Sequence, residues 1–170
     1  MKQILAKVFL SASVVLGGWS VAQTNNSTPV ASEKSVLEKP YNPKENAEEA
    51  IKKLIVEAGN SNKNILIQAG GNWCIWCLRF NDFVKKNDKL SQILNDNYLY
   101  YHLNYSPENK NEAVFKKYDK LVELGFPAFV ILDSKGNLLH IQESEVLEEG
   151  KGYSIEKTMD FLTKWTPEKK

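Results

Sequence analysis

The sequence predicts a single α/β domain. Segments whose apolar residues recur at helical spacing alternate with short, β-branched apolar runs, the arrangement expected of helices laid on a sheet. The last two runs flank Asp133-Ser134-Lys135-Gly136-Asn137, a turn that folds one strand back antiparallel on the other. With 170 residues, 42% hydrophobic and 25% charged, the chain can fill one compact core and leave some length unstructured; a second domain is not expected.

Residues 1–22 read as a secretory signal peptide. Lys2 and Lys7 form a charged head, the run from Val8 to Val21 is broken only by Ser and Gly, and Ser20-Val21-Ala22 offers small residues for cleavage after Ala22. A membrane anchor would need roughly 20 apolar residues, and this run is shorter and richer in Ser and Gly. No cysteine lies near the expected cleavage point, which argues against lipid attachment there. Residues 23–41 are polar, without helical or alternating period, and are expected to be a flexible leader. Residues 42–166 form the expected folded domain, and 167–170 a tail.

The domain opens with Asn42-Pro43-Lys44-Glu45, a cap, a proline at the first helical position and a Glu three residues on. Ala47, Ala50, Ile51, Leu54, Ile55 and Ala58 continue the helix, and Gly59 is expected to close it. Ile65-Leu66-Ile67 reads as a buried central strand, broken by Gly70-Gly71-Asn72. A second helix carries Cys77, Phe80 and Val84 inward, with Asn72 as its expected cap, and a short helix near Leu90 to Leu94 leads to a strand over Tyr98 to Asn104. A longer helix is expected from Ser106-Pro107-Glu108 to about Leu124, with Ala113, Val114, Tyr118, Leu121 and Val122 as its apolar stripe. Ala128 to Leu132 and Leu138 to Gln142 are the hairpin strands, and a final helix from Ser154 turns Ile155, Met159, Leu162 and Trp165 inward.

The most informative compositional fact is that the chain holds 2 Cys, both within Trp73-Cys74-Ile75-Trp76-Cys77. A bridge between them closes almost no loop and stabilises little, so a reactive role explains the pair better than a structural one. One helical turn apart, the two sulfurs can meet on one face. At a helix start, unpaired N–H groups and the positive end of the dipole favour a thiolate at Cys74, the expected nucleophile. Cys77, a turn further in, is the expected resolving thiol.

Other readings of the pair are weaker. Structural zinc needs four ligands, and only His102 and His140 remain, far apart and unpaired in spacing; no metal or cofactor is expected. Haem attachment needs His after the second cysteine, where Leu78 stands. Both histidines are expected at solvent-facing or edge strand positions. Removing Lys2 and Lys7 with the signal peptide takes the formal charge from +1 to −1, without the basic excess a nucleic-acid binder carries.

Over Asn42 to Trp165, the order of elements, the Trp-Cys-Ile-Trp-Cys run and Gly125-Phe126-Pro127-Ala128-Phe129 together resemble the thioredoxin superfamily, and within it exported bacterial members with a Trp-Cys-x-Trp-Cys motif. The resemblance implies a four- to five-stranded mixed sheet flanked by helices and a cis bond at Pro127 beside the cysteines. Composition alone favours trans, since only about 5–6% of X–Pro bonds in folded proteins are cis. With the signal peptide and the cysteine pair, the resemblance points to thiol–disulfide exchange on protein substrates outside the cytoplasm, periplasmic or secreted; it implies a membrane-embedded thiol reductase as redox partner, and a monomer is expected. Trp73, Trp76, Phe126 and Pro127 are the expected substrate-binding residues; Trp76 is expected to be exposed, while Trp73 could equally pack inward.

Three features depart from the family pattern. Gln68 stands where a buried Asp would handle the resolving thiol's proton, and Gln takes up none at neutral pH; Asp82 and Glu123 are alternative carriers. Ile75-Trp76 replaces Gly-Pro, and Ala128 replaces Thr, leaving redox direction and potential open. The competing class is a thioredoxin-fold binding or chaperone-like module with little redox turnover; metal delivery is a third.

Overall fold

The computed structural model describes residues 30–118 and 121–168. The expected signal peptide, residues 23–29 of the leader and residues 169–170 of the tail lie outside the described residues.

Helix α1 (Val30–Val36) is joined by an irregular strap, ending at Tyr41, to α2 (Ala47–Ser61). Then come β1 (Asn64–Gly70), α3 (Ile75–Lys86), α4 (Asp88–Asn97), β2 (Tyr98–Asn104) and α5 (Glu112–Lys117). The hairpin β3 (Ala128–Leu132) and β4 (Leu138–Glu143) follows, and a 3-10 turn leads to the short pair β5 (Glu148–Glu149) and β6 (Gly152–Tyr153), before α6 (Ile155–Lys164). The main sheet runs β2-β1-β3-β4, with β1 parallel to β2 and the other two pairs antiparallel. It is the mixed sheet with flanking helices that the resemblance implies.

Strand β1 lies inside the sheet and is buried along its whole length, which is why its first half reads as the apolar run Ile65-Leu66-Ile67. Its side chains alternate between two cores. Ile65, Ile67 and Ala69 face α2 and α5, meeting Ile51, Ala58, Val114 and Phe115. Leu66 faces α3, α4 and α6, meeting Phe80, Leu90, Phe129 and Leu162. Each buried Ile, Leu, Val or Phe among these contributes about 1.5–3 kcal/mol by leaving water. Gln68, two residues on from Leu66, is carried to the α3 side and fully buried.

Several expected boundaries shift, for physical reasons. Residues 30–41, within the expected leader, hold α1 and a buried Tyr41; their polar residues are taken up by pairing with α3. The cap of α2 is Asn46, whose Oδ1 accepts from Glu49 N at 3.2 Å, while Asn42 builds a side-chain turn on Lys44 N at 3.0 Å. Gly59 does not end α2; Asn62 does, in left-handed conformation (φ 52°) with its N–H on the Ala58 carbonyl.

The helix expected from Ser106 shrinks to α5. Asn104 Nδ2 donates to Asn109 O at 2.8 Å and Asn111 Nδ2 to Asn104 O at 2.9 Å, while Asn109 Nδ2 reaches across to Glu45 O at 2.9 Å, which holds 105–111 as a loop. Ala113, Val122 and Ile155, expected inward, are exposed, while Thr158 and Phe161 take the inner face of α6.

Candidate functional site

The end of β1 turns through Gly71 and Asn72 into α3, and this junction holds the cysteines. Cys74 caps α3, replacing the expected Asn72: its Sγ accepts the Cys77 N–H at 3.1 Å, and its own N–H reaches Gly71 O at 3.0 Å. The two sulfurs are joined in a disulfide with Cα atoms 5.3 Å apart. Cys74 keeps 7% exposure and Cys77 none, so an incoming chain can meet only the first sulfur. An N–H at the mouth of a helix is the partner that stabilises a thiolate once the bridge opens.

Around the pair stand the four expected substrate-binding residues. The Phe126–Pro127 bond is cis, and the Phe126 carbonyl lies 3.5 Å from Cys74 Sγ. Trp73 is the exposed tryptophan, at 48%; its indole N–H donates to Tyr105 O at 2.7 Å and its ring meets Phe126 edge-on at 5.6 Å. Trp76, expected to be exposed, is half-buried. Its ring abuts Tyr153 at 5.7 Å, and the Arg79 guanidinium sits 5.1 Å from its centre. The site thus brings together Trp73, Phe126 and Pro127 with Cys74, and turns Trp76 partly into the core.

Beside Trp73 opens a groove of about 940 Å³, lined in part by Asn72, Tyr105, Pro107 and Lys110. Tyr105 stacks on Phe126 at 5.2 Å, extending the aromatic wall. Sequence reasoning did not single out Tyr105; its only signal was its place directly after β2, beside the cysteine loop through the parallel pairing of Gly70 with Asn104.

Beneath Cys77 lies a polar cluster on the α3 side of the sheet. Gln68 Nε2 donates to Cys77 O at 2.9 Å and to Tyr41 Oη at 2.7 Å, while Tyr100 Oη donates to Gln68 Oε1. Burial pushes the Tyr41 and Tyr100 phenols well above their ordinary range, so both stay protonated. Asp82 and Glu123 are elsewhere: Asp82 pairs with Lys86 at 2.9 Å, and Glu123 is exposed.

His102 lies on edge strand β2, as expected, yet is half-covered between the rings of Tyr41 and Tyr100, at 5.2 and 4.5 Å. Burial, reinforced by the Lys85 ammonium against a weaker pull from Glu38, lowers it to about 4, so it is neutral at physiological pH. His140, on edge strand β4, stacks against Trp165 at 4.6 Å.

The strap from α1 is bolted across α3. Glu33 takes Arg79 in a two-pronged ion pair at 2.7 and 2.8 Å, and each holds the other's charge: Glu33 falls below the usual carboxylate range and Arg79 rises. Glu38 accepts from Lys85 at 2.5 Å and Asn81 at 3.2 Å. Lys34 reaches Trp73 O at 2.6 Å, and the Asn72 amide exchanges two hydrogen bonds with the Tyr41 backbone, at 2.8 and 3.2 Å.

A family model described as a thioredoxin-like domain matches residues 51–148, which include both cysteines and Pro127. No match was found among curated proteins. Among solved structures, a disulphide isomerase from Xylella fastidiosa Temecula1 is similar with a TM-score of 0.65 and 23% identity, over 75% of this chain and 97% of that one. A DsbH oxidoreductase gives a TM-score of 0.46 and 21% identity over 65% of this chain and 79% of that one. The C-terminal domain of Neisseria meningitidis DsbD in its oxidised form gives 0.48 and 16%, over 69% and 95%. At these identities the likeness is one of fold.

Proposed function

We propose that the chain, which belongs to the thioredoxin-like domain family, is a thiol–disulfide oxidoreductase that acts on protein disulfides outside the cytoplasm, through a mixed disulfide that Cys74 forms and Cys77 resolves. The observation that supports this most strongly is the asymmetry of the closed pair. One sulfur caps a helix and keeps an exposed edge, while the other is fully covered behind it.

In the reduced protein the Cys74 thiolate, held by the Cys77 N–H, attacks one sulfur of a substrate disulfide, and the other substrate sulfur leaves. Cys77 then attacks the Cys74 sulfur, restores the Cys74–Cys77 bridge and releases the second substrate sulfur, so two electrons have passed to the substrate. Oxidation of a substrate dithiol runs through the same intermediate in reverse.

An extended substrate segment would lie along the Phe126 backbone as an added strand against the edge of Pro127. Trp73 and the groove beside it would take apolar side chains, with Trp76 flanking the pair. On this reading the protein works as a monomer and draws electrons from a membrane-embedded thiol reductase. The export assignment is carried by the sequence of residues 1–22.

Insulin reduction tests the chemistry. Cys74→Ser is expected to abolish turnover, and Cys77→Ser to accumulate covalent complexes with substrate that a reductant dissolves. If both variants reduce insulin as fast as the parent, the assignment fails. Fractionating cells that express the full chain, beside a chain lacking residues 1–22, tests the compartment; equal retention of both in the cytoplasm would refute export.

A further inference from the structure

We propose that the Tyr41 hydroxyl donates a hydrogen bond to the Cys77 sulfur when the pair opens, and so makes Cys77 a competent resolving thiolate. This deepens the exchange reaction proposed above and rests on it.

The placement follows from Gly70. A side-chain carbon built there would meet Cys77 Sγ at 2.5 Å and Tyr41 Oη at 2.9 Å, so sulfur and phenol oxygen crowd the same point over a glycine. Tyr41, Cys74 and Cys77 pack as one small cluster, with Tyr41 2% exposed and Cys77 fully buried.

The direction of the hydrogen bonds follows from Gln68. The Cys77 carbonyl can only accept, so the Gln68 amide must turn its NH₂ toward it, and the second hydrogen of that NH₂ goes to Tyr41 Oη. Tyr100 fills the remaining oxygen of the amide. Tyr41 is thereby an acceptor from Gln68, which leaves its own hydrogen available to the sulfur once the pair opens.

A thiolate forming at a site closed to water is costly unless a donor meets it. Burial keeps the phenol protonated over the working range, so Tyr41 acts as a donor and not as a base. In the resolving step the Cys77 thiol gives up its proton, the new thiolate attacks Cys74 Sγ, the Cys74–substrate bond breaks and the Cys74–Cys77 bond forms. The departing substrate sulfur carries away the electron pair and takes up the proton. Tyr41 gains and loses no atom; it stabilises the thiolate while that exists.

The test uses the reduced full-length chain and Ellman's disulfide, which releases one coloured thiolate when Cys74 attacks and a second when Cys77 resolves. Tyr41→Phe keeps the ring and removes the hydroxyl. The first release is expected to keep the parent's rate, while the second slows about tenfold and its pH profile moves up by about one unit. In a Cys74→Ser background, thiolate absorbance at Cys77 is expected to show the same upward move on Tyr41→Phe. A second release with the parent's rate and pH profile would overturn the role of Tyr41. A parent chain that releases no second thiolate would instead overturn the exchange reaction itself.

Discussion

Trp73 and Trp76 sit three positions apart in one motif, yet their surroundings give them different work. The Trp73 indole is held by its N–H to Tyr105 O and an edge contact with Phe126, and the residue keeps nearly half its surface in water. Trp76 fills space between Tyr153 and Arg79, and its backbone carbonyl takes the Tyr153 hydroxyl at 3.1 Å. Trp73→Ala is therefore expected to slow insulin reduction several-fold while lowering stability by no more than about 1 kcal/mol. Trp76→Ala should cost about 2 kcal/mol in urea unfolding, through the cavity it leaves beside Tyr153. Equal stability losses would contradict this division. The motif made both residues visible in the sequence but could not rank their exposure, because Tyr105 and Tyr153 arrive from 32 and 77 positions away.

The strap is the element that composition hid. A stretch rich in Lys, Glu and Ser without apolar period reads as leader, yet Glu33 and Glu38 find Arg79 and Lys85 on α3, and Tyr41 closes over Gln68. Local chemistry explains what was legible: a β-branched run in β1, the Asp133 turn, Ser154 before α6 and the cysteine pair all depend on neighbours in sequence. The cluster of Tyr41, Gln68 and Tyr100 depends on side chains 27 and 32 positions apart, and no single-segment pattern encodes it. Likewise the helix expected from Ser106 has helical spacing but loses its first turns to asparagine side chains that bond across the loop. A double-mutant cycle on Glu33→Gln and Arg79→Met measures how firmly the strap is attached. With side chains 27% and 17% exposed, the pair is expected to couple by about 0.5–1 kcal/mol, weakening as salt is added. A coupling of zero would mean that this ion pair adds nothing to the attachment, which then rests on Lys34, Glu38 and Tyr41.

Strap, edge strand and active-site helix meet at His102, and there local burial becomes a property of the fold as a whole. Its Nε2 is buried without a hydrogen-bond partner among the described residues, Lys85 repels its charged form, and the Tyr41 and Tyr100 rings cover it. The imidazole falls from an ordinary 6.5 to about 4 on folding. Above pH 6.5 it is neutral in both states and contributes no pH dependence. Between the two values the unfolded chain binds a proton that the folded chain refuses, so stability must fall as the solution is acidified, by about 3 kcal/mol once both states are protonated. Glu33, Glu38 and Asp133, held below the usual carboxylate range, stabilise the fold at higher pH, and their contribution is lost as pH falls through their lowered values. Their loss is centred on the more acidic side, so the interval from pH 6.5 to about 5 belongs mainly to His102. Urea midpoints of the parent and of His102→Gln, measured from pH 7 to pH 4, separate the two effects. The variant lacks the imidazole at position 102, so its curve should stay nearly flat down to about pH 5 and fall only where the carboxylates titrate. A cost of substitution at pH 7 would shift its whole curve without changing that slope, whereas parallel curves through pH 6 would mean that the acid sensitivity of this fold arises somewhere other than under the strap.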